Sequence, residues 1–598
     1  MSAKTATAAN PLGLVAVIGL AIVVAVPFIF IVLQAIFPQI GQGVFSAPFV
    51  HLPALFEDPK LMRMTGNTIL LGVSVVVLSA IIAVPLAVFR ALYKVPLALV
   101  WDVLMLVPFM IPPYIATLGW IMTLQPRGYL EQLTGFNLAP FLFSLAGMTF
   151  VMALNTFPLV YFAVSRTIEA VGARYSDVGR VFGASPWRAF FRITLPLATP
   201  GLAASLLLVF ASAIEEYGTP AALGSRSGFD VLVTEIDLRI SDWPIDLSGA
   251  AVFSLALVLL SLAAFMLQRW ILTRRSYVTT GGKPQNKDKR DLGAFRVPVV
   301  ILFGVVAFAA AGVPLLAILA TAMSKTISGG LTLSNLGFDN FADIADNSAG
   351  AMRALTNSLS LGVASALLTG LLGAIAAYAV VKMRFRGRFW LDVLTVLPNA
   401  LPGVVVAVGL ILAWNQPSLL ISPYNTPLIL LLAYCCILLP QPIRYATAAF
   451  HQIGDNLEAA ARVCGASSFM TFRRIMLPLI APSLITAMLL VFAVATRELV
   501  ASILVAPVGM QTISIFIWRQ FEQGSIGLGM AMAFIAILLT TLLPLLLMGL
   551  LKRTGLVKSN SVDKLRTEIY PFSMPQSPWQ RLKGISNVSH HSTPKHFQ

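Results

Sequence analysis

Four charged residues stand at two matching positions of this chain, each pair at the end of a long apolar stretch. Glu216 matches Glu498 at a separation of 282 residues, and Glu215 matches Arg497 at the same separation. Charges at the edge of a membrane span are costly, so they usually face a cavity or a partner. Two related carboxylates suit a hard cation, which prefers oxygen ligands. The residues alone leave an alternative open, namely a structural Glu–Arg pair or interfacial carboxylates in contact with water.

Other reactive chemistry is not indicated by the residue patterns. The chain contains no G-x-x-x-x-G-K-[ST] phosphate loop, so ATP hydrolysis by that route is not expected. Because no Ser/His/Asp or metal-ligand pattern stands in a suitable context, we predict a protein that is not an enzyme and needs no cofactor. Any metal ligands are unknown at this point. Two of the three cysteines, Cys435 and Cys436, are adjacent in an apolar run, which indicates no disulfide framework.

The elements that must position these residues follow from composition and hydropathy. Of the 598 residues, 58% are hydrophobic and 11% are charged, and the mean hydropathy is +0.85. A soluble chain carries about 25% charged residues, so we predict an all-α integral membrane protein. About 20 apolar residues cross the ~30 Å hydrocarbon core. The twelve runs of this kind are 11–37, 67–89, 97–123, 139–164, 196–217, 248–270, 296–323, 357–381, 389–414, 426–449, 478–506 and 528–551.

The charges predict the orientation of these spans. The net charge of +16 is concentrated in alternate short loops, as expected where Lys and Arg mark the cytoplasmic face. The loop 218–247 has the opposite, acidic bias. We therefore expect a multi-pass protein of the bacterial inner membrane with both termini in the cytoplasm and lipid around its spans. The same placement of charge argues against a nucleic-acid partner.

A duplication divides the chain into two halves of six spans each. The segment 177–200 recurs at 459–482, and a second set of residues recurs 290 positions later. That second set is Asp102, Pro108, Pro112 and Gly119, which match Asp392, Pro398, Pro402 and Gly409. Because each half has an even number of spans, the repeats are expected to be parallel, related by an axis along the membrane normal.

The predicted organisation has four parts. The first repeat covers 1–270 and the second covers 296–552, with a basic cytoplasmic linker at 271–295 between them. The polar segment 553–598 is predicted to be a disordered cytoplasmic tail, and its three histidines are not expected to bind metal. Those histidines are His590, His591 and His596.

The most repeated feature is a loop, at 165–195 in the first half and 450–477 in the second. Each copy predicts a helix that ends at a glycine, Gly183 or Gly465, where a tight turn is made without a Cβ. A second short helix is expected to start at a serine cap, Ser185 or Ser467. We expect the following prolines to end that helix and to start the next span. Such a pair of helices lies either against lipid or against a cytoplasmic partner.

The repeated loop resembles the EAA coupling loop of permeases in binding-protein-dependent ABC importers. The residues that carry the resemblance are Asp177, Gly183, Ala184, Ser185, Leu195 and Pro196 in copy one and Glu458, Gly465, Ala466, Ser467, Leu477 and Pro478 in copy two. Copy one departs from the family's Glu-Ala-Ala start, and copy two places Glu458 one residue early. The resemblance implies that two copies of a separate ATPase subunit dock at these loops and that a periplasmic binding protein docks on the other side.

The cargo is suggested by the segments that contain the four charged residues. Segments 212–224 and 495–518, in a fused chain of two repeats, resemble the ferric-iron group of permeases. That group is close to permeases for thiamine, polyamines and 2-aminoethylphosphonate, which stay open as alternatives. A transporter of another class, driven by an ion gradient, could also have twelve spans in parallel halves, and it would lack the repeated loop and any need for an ATPase.

Overall fold

The computed structural model of the chain describes residues 11–51, 53–171, 181–274, 289–383, 385, 387–416 and 419–553. Over these residues the regular structure is helical, and no β-strand longer than an isolated bridge forms. The predicted tail and most of the predicted linker lie outside the described residues. The described residues up to Met548 form one compact unit.

Among its described residues, the first half contains eight main helices. They are α1 (Pro11–Ile36), α2 (Pro59–Leu92), α3 (Ala98–Met110), α4 (Pro113–Leu124), α5 (Leu145–Val171), α6 (186–215), α7 (Leu232–Ser241) and α8 (Leu247–Arg274). The second half contains eleven. They are α9 (Gly293–Met323), α10 (Ala351–Lys382), α11 (Arg388–Ala400), α12 (Gly403–Trp414), α13 (Pro427–Leu438), α14 (Pro440–Gln452), α15 (Asp455–Val463), α16 (Ser468–Ala495), α17 (Val500–Val505), α18 (Ile513–Glu522) and α19 (Ile526–Arg553).

The predicted spans are present. Among the described residues, nine helices are long and apolar enough to cross a membrane, and three bent helix pairs raise the number to as many as twelve. Each of the twelve predicted runs overlaps one of these helices or bent pairs. The prediction of an all-α membrane protein is therefore confirmed.

The runs 97–123 and 389–414 are sharply bent pairs and not single continuous helices. α3 and α4 meet at 94°, and α11 and α12 meet at 118°. The breaks lie at Pro112 and Pro402, and the residues before them, Ile111 and Leu401, have extended backbone. This follows from the proline ring, which disfavours helical backbone in the preceding residue. The repeated prolines thus fix the same break in both halves.

Each half is completed by the first span of the other half. α1 packs against α12, and α9 packs against α4. At both contacts a repeated glycine lets two backbones meet. A Cβ on Gly119 would lie 2.9 Å from the carbonyl oxygen of Pro314, and a Cβ on Gly409 would lie 2.5 Å from the carbonyl oxygen of Pro27. Small residues permit such close approach between membrane helices. The exchange of first spans ties the two repeats into one body.

Four π-helical turns interrupt the spans at matching places in the two halves. They are Ala21–Ala25, Phe190–Thr194, Phe308–Gly312 and Phe472–Met476. Each is followed by one residue and then a proline, which has no N–H to continue the helical bonding. The residue before the proline donates instead to the carbonyl five residues back, as Leu477 does to Phe472.

The continuous helices through these π-helical turns contradict one prediction. Pro196 and Pro478 neither end the loop helix nor start a separate span. The helix runs without interruption from Ser468 to Ala495 and, in the first half, from 186 to 215. The second helix of each repeated loop is therefore a direct extension of a span.

Candidate coupling loops and translocation pathway

The turn of the second repeated loop is made by Gly465, which has a φ of +80°. Its N–H donates to the Arg462 carbonyl (2.9 Å), and the N–H of Ala466 donates to the Ala461 carbonyl (3.0 Å). These bonds close the end of α15 in the manner of a left-handed cap. Nothing lies within 4 Å of the position that a Cβ of Gly465 would occupy, so the glycine is required by backbone conformation and not by crowding.

The first repeated loop has the same turn and the same cap. Gly183 has a φ of +84°, and the hydroxyl of Ser185 accepts from the Arg188 N–H at 3.3 Å. In the second copy the hydroxyl of Ser467 accepts from the Met470 N–H at 3.2 Å. The conformations predicted for both glycines and both serines are therefore present. Asp177 lies outside the described residues.

Glu458 holds the second loop to the membrane helices. Its side chain is 8% exposed and accepts from the Tyr378 hydroxyl of α10 at 3.2 Å. The Arg462 guanidinium, one turn later on α15, pairs with the same carboxylate. The acidic residue that resemblance places in the coupling loop is thus engaged within the chain. We expect it to position α15 and not to contact a partner directly.

Large apolar side chains next to both turns are exposed. Val463 precedes Gly465 by two residues and is 88% exposed, while Val181 and Phe182 precede Gly183 and are 85% and 86% exposed. Leaving these side chains in water is unfavourable, and exposed apolar residues rimmed by polar ones mark contact surfaces. We call the part of the bundle that carries these turns the loop end.

Glu216 and Glu498 lie at the other end of α6 and α16, which we call the opposite end. The Glu216 carboxylate accepts from the Thr219 N–H at 2.9 Å, and the Glu498 carboxylate accepts from the Ala501 N–H at 3.2 Å. Each carboxylate therefore caps the short helix that follows its span. The two residues match in sequence position and also in local geometry, and both side chains remain half-buried.

The residues next to these carboxylates differ between the halves. Glu215 accepts from the Ser261 hydroxyl of α8 at 3.4 Å. Arg497 instead reaches into the first half, where its guanidinium donates to the backbone carbonyl of Met110 at the end of α3. The structural Glu–Arg pair considered from the sequence is therefore not what holds the guanidinium, although Glu498 remains an electrostatic neighbour of Arg497.

Tyr114 of α4 connects the two sides of this site. A Cβ on Gly218 would lie 2.4 Å from the Tyr114 Cβ and 3.3 Å from a Glu216 carboxylate oxygen. Four residues before Tyr114, the carbonyl of Met110 accepts from Arg497 of the second half. Tyr114 thus lies next to the Glu216 segment and close to the contact between the two repeats.

The acidic loop 218–247 is mostly occupied by internal contacts. Glu235 accepts from the Lys60 ammonium (2.6 Å) and the Arg239 guanidinium (2.9 Å). Asp237 accepts from the Tyr217 hydroxyl at 2.7 Å. Burial raises the pKa of Asp237, while the hydrogen bonds from Tyr217 and Ser241 act in the opposite direction. These carboxylates are therefore less available to a cation or a basic partner than the sequence suggested.

Sequence reasoning missed three residues that build these sites. Tyr378 anchors the coupling loop, Met110 accepts from Arg497, and Tyr114 lies next to the segment of Glu216. Met110 and Tyr114 flank the repeated Pro112, which was the available signal for a special site. Among the described residues, no group of three or more His, Cys, Asp or Glu side chains is arranged to hold a metal ion.

Comparison with known protein families gives a match in each half of the chain. The family model described as "Binding-protein-dependent transport system inner membrane component" matches residues 80–277 and 369–554, which together make up more than half of the chain. One match falls in each half of the chain. Each contains one of the repeated loops.

Three relatives show the range of similar proteins. The Ferric transport system permease protein FbpB of Actinobacillus pleuropneumoniae is 27% identical, over 81% of this chain and 70% of its own length. The Fe(3+)-transport system permease protein FbpB 2 of Haemophilus influenzae is 23% identical, over 85% and 91%. The 2-aminoethylphosphonate transport system permease protein PhnV of Salmonella paratyphi A is 28% identical, over 40% of this chain and 89% of its own length.

Proposed function

We propose that this chain, which belongs to the family of binding-protein-dependent transport system inner membrane components, conducts ferric iron. Membership of the family makes it a multi-pass permease of an ABC importer, whose partners are an ATPase and a periplasmic binding protein. The family favours this class over an ion-driven transporter. Iron as the cargo is supported by relatives named for ferric transport, because their similarity extends over both repeats.

One observation in the structure carries the proposal of a cation. Both halves place a carboxylate at the same position of the opposite end, next to the hydrogen bond between Arg497 and Met110 that joins the two repeats. Both Glu216 oxygens accept from the Thr219 N–H, at 3.1 and 2.9 Å, and one Glu498 oxygen accepts from the Ala501 N–H. A carboxylate offers about four acceptor sites. Glu216 and Glu498 therefore keep oxygen lone pairs for a hard cation, which favours oxygen ligands.

The loop end is proposed to bind two copies of the ATPase subunit. The exposed apolar side chains Val181, Phe182 and Val463 supply the contact, one surface in each repeat. Because the second helix of each loop continues into α6 or α16, a displacement of the bound ATPase moves the same helix that leads to Glu216 or Glu498. This arrangement supports a mechanical connection between ATP hydrolysis and the pathway.

The orientation follows from the same assignment. The loop end is proposed to face the cytoplasm together with both chain termini, since the basic residues of the connecting segments lie on that side. The opposite end then faces the periplasm, where the binding protein delivers its cargo. Lipid surrounds the spans.

The match to PhnV supports a second cargo, 2-aminoethylphosphonate. A guanidinium is well suited to a phosphonate, and Arg497 stands in the same site as the two carboxylates. Thiamine and polyamines are further cargoes to be tested.

The test is transport by the complete complex. The chain, its ATPase and its binding protein would be placed in proteoliposomes, and uptake of radiolabelled ferric iron would be measured with ATP inside. We expect ATP-dependent uptake that survives collapse of the proton gradient. Uptake of 2-aminoethylphosphonate, thiamine or a polyamine in place of iron would overturn the proposed cargo.

A further inference from the structure

The break between α3 and α4 leaves backbone carbonyl groups that no helix can satisfy. Carbonyls at the end of a helix need donors from elsewhere. The Asn155 side chain of α5 donates to the carbonyls of Pro108 (2.8 Å) and Ile111 (3.2 Å). The carbonyl of Met110 between them accepts from Arg497. Asn155 belongs to the same half, whereas Arg497 belongs to the other half.

The arginine is a difference between repeats that otherwise match closely here. Glu216 and Glu498 agree in sequence and in capping geometry, but the residue before them is Glu215 in one half and Arg497 in the other. A carboxylate cannot donate to a carbonyl, so Glu215 cannot make the corresponding bond. The guanidinium thus adds a fixed positive charge at one side of a site that both repeats build.

The position of this charge is one that a cation would also favour. The carbonyl end of a helix carries a partial negative charge, and the Arg497 guanidinium occupies that end at α3. Glu498 is the next residue along the chain, and Tyr114 stands in the first turn of α4 on the other side of the break. A carbonyl, a carboxylate and a phenol are all oxygen ligands of the kind a hard cation takes.

We propose that Arg497 is a tethered substitute for the cargo cation, which holds the two halves together at the opposite end while the pathway is empty. The passing cation takes over the oxygen groups, and the guanidinium leaves Met110 as the halves separate. This inference rests on the proposed function, because it assumes a cationic cargo. It assigns to one residue both closure of the empty pathway and selection for positive charge.

The experiment compares Arg497→Met and Arg497→Lys with the wild type in the complete complex. Arg63→Met, which removes an exposed arginine of α2, is the matched control and should behave like wild type. Without binding protein, Arg497→Met should raise ATP hydrolysis about tenfold or more, since a hydrogen bond to a charged group favours the closed pair by that order. It should also let ferric iron leak through proteoliposomes. Arg497→Lys keeps the charge and should restore most of the closure.

The outcomes separate this inference from the proposed cargo. Wild-type hydrolysis and no leak in an assembled Arg497→Met complex would overturn the inference. So would loss of uptake without any rise in hydrolysis, which would indicate that Arg497 binds an anionic cargo or is structural. If the wild-type complex imports no iron, the proposed function fails. The rate of ATP hydrolysis without binding protein, compared between Arg497→Met and wild type, then decides alone whether Arg497 closes the pathway. Should Arg497→Met not assemble, Arg497→Gln replaces it as the variant without the charge: raised hydrolysis supports the inference, and hydrolysis equal to that of the wild type opposes it.

Discussion

Replacing Gly465 by valine tests whether the repeated turn transmits movement between the ATPase and the membrane helices. Gly465 has a φ of +80°, and no atom stands near the place of a Cβ. The cost of the change is therefore a backbone cost. An L-residue in the left-handed region costs about 1–2 kcal/mol, which lowers the population of the native turn by a factor of about 5–30. A β-branched side chain lies at the upper end of that range or beyond it.

The chain offers a matched control for this change. Gly454 lies in the same loop with a φ of −63°, and a Cβ there also meets nothing within 4 Å. Gly454→Val should therefore affect the loop much less than Gly465→Val. Gly465→Asn should recover part of the function, because asparagine tolerates left-handed backbone.

The assay measures ATPase binding to the assembled complex, ATP hydrolysis and iron uptake per complex. Insertion should be normal in every variant, since no span is changed. We expect Gly465→Val to reduce coupled uptake by roughly the same factor of about 5–30. Equal hydrolysis and uptake by the Gly465→Val and Gly454→Val complexes would refute the role of the turn.

Three further changes test other parts of the structure. The double variant Glu216→Gln/Glu498→Gln should reduce iron uptake per complex more than either single variant, because glutamine keeps the caps but removes the charge; wild-type uptake by the double variant would exclude a pathway role. Tyr378→Phe removes the hydroxyl that donates to Glu458 and should lower stability by about 1.5–3 kcal/mol, the value of a hydrogen bond to a charged group; an unchanged melting temperature of the purified chain would show that this bond does not anchor α15. Pro478→Ala restores an N–H and should convert the π-helical turn into α-helix, which rotates the loop helix by about 100° relative to its span. This variant should uncouple ATP hydrolysis from uptake, and normal coupling would contradict a role for the π-helical turn. The purified chain without its ATPase subunit should hydrolyse no ATP, and hydrolysis with contaminants excluded would contradict the permease assignment.

Much of the fold could be predicted because only a few kinds of backbone structure can span a membrane. Long apolar runs report spans directly, and the positive φ of Gly183 and Gly465 follows from a helix that must end tightly. Hydropathy does not report the direction in which a helix runs, however. The sequence therefore identifies Pro112 and Pro402 as repeated residues, but it does not predict the sharp bends that they make.

The missed contacts have a common physical cause. Arg497 bonds a carbonyl in the other half of the chain, and only packing of the two halves brings those groups together. Tyr378 and Glu458 are likewise 80 residues apart. A side chain that serves a distant backbone group leaves no local pattern, so sequence reasoning could identify Arg497 as unusual but could not find its partner.

The exchange of first spans sets the order in which this protein can mature. α1 ends at Ile36, but its packing partner α12 begins at Gly403. At roughly 5–20 residues per second, the ribosome needs about 20–70 s to make the chain between them. A soluble helix could not keep so apolar a surface unpaired for that time, but a helix in lipid has its backbone bonds satisfied internally and can wait. The first half is thus inserted early and completed late, and a nascent chain released before α12 would carry an inserted α1 that can pack against α8 and α10 but lacks its contact with α12.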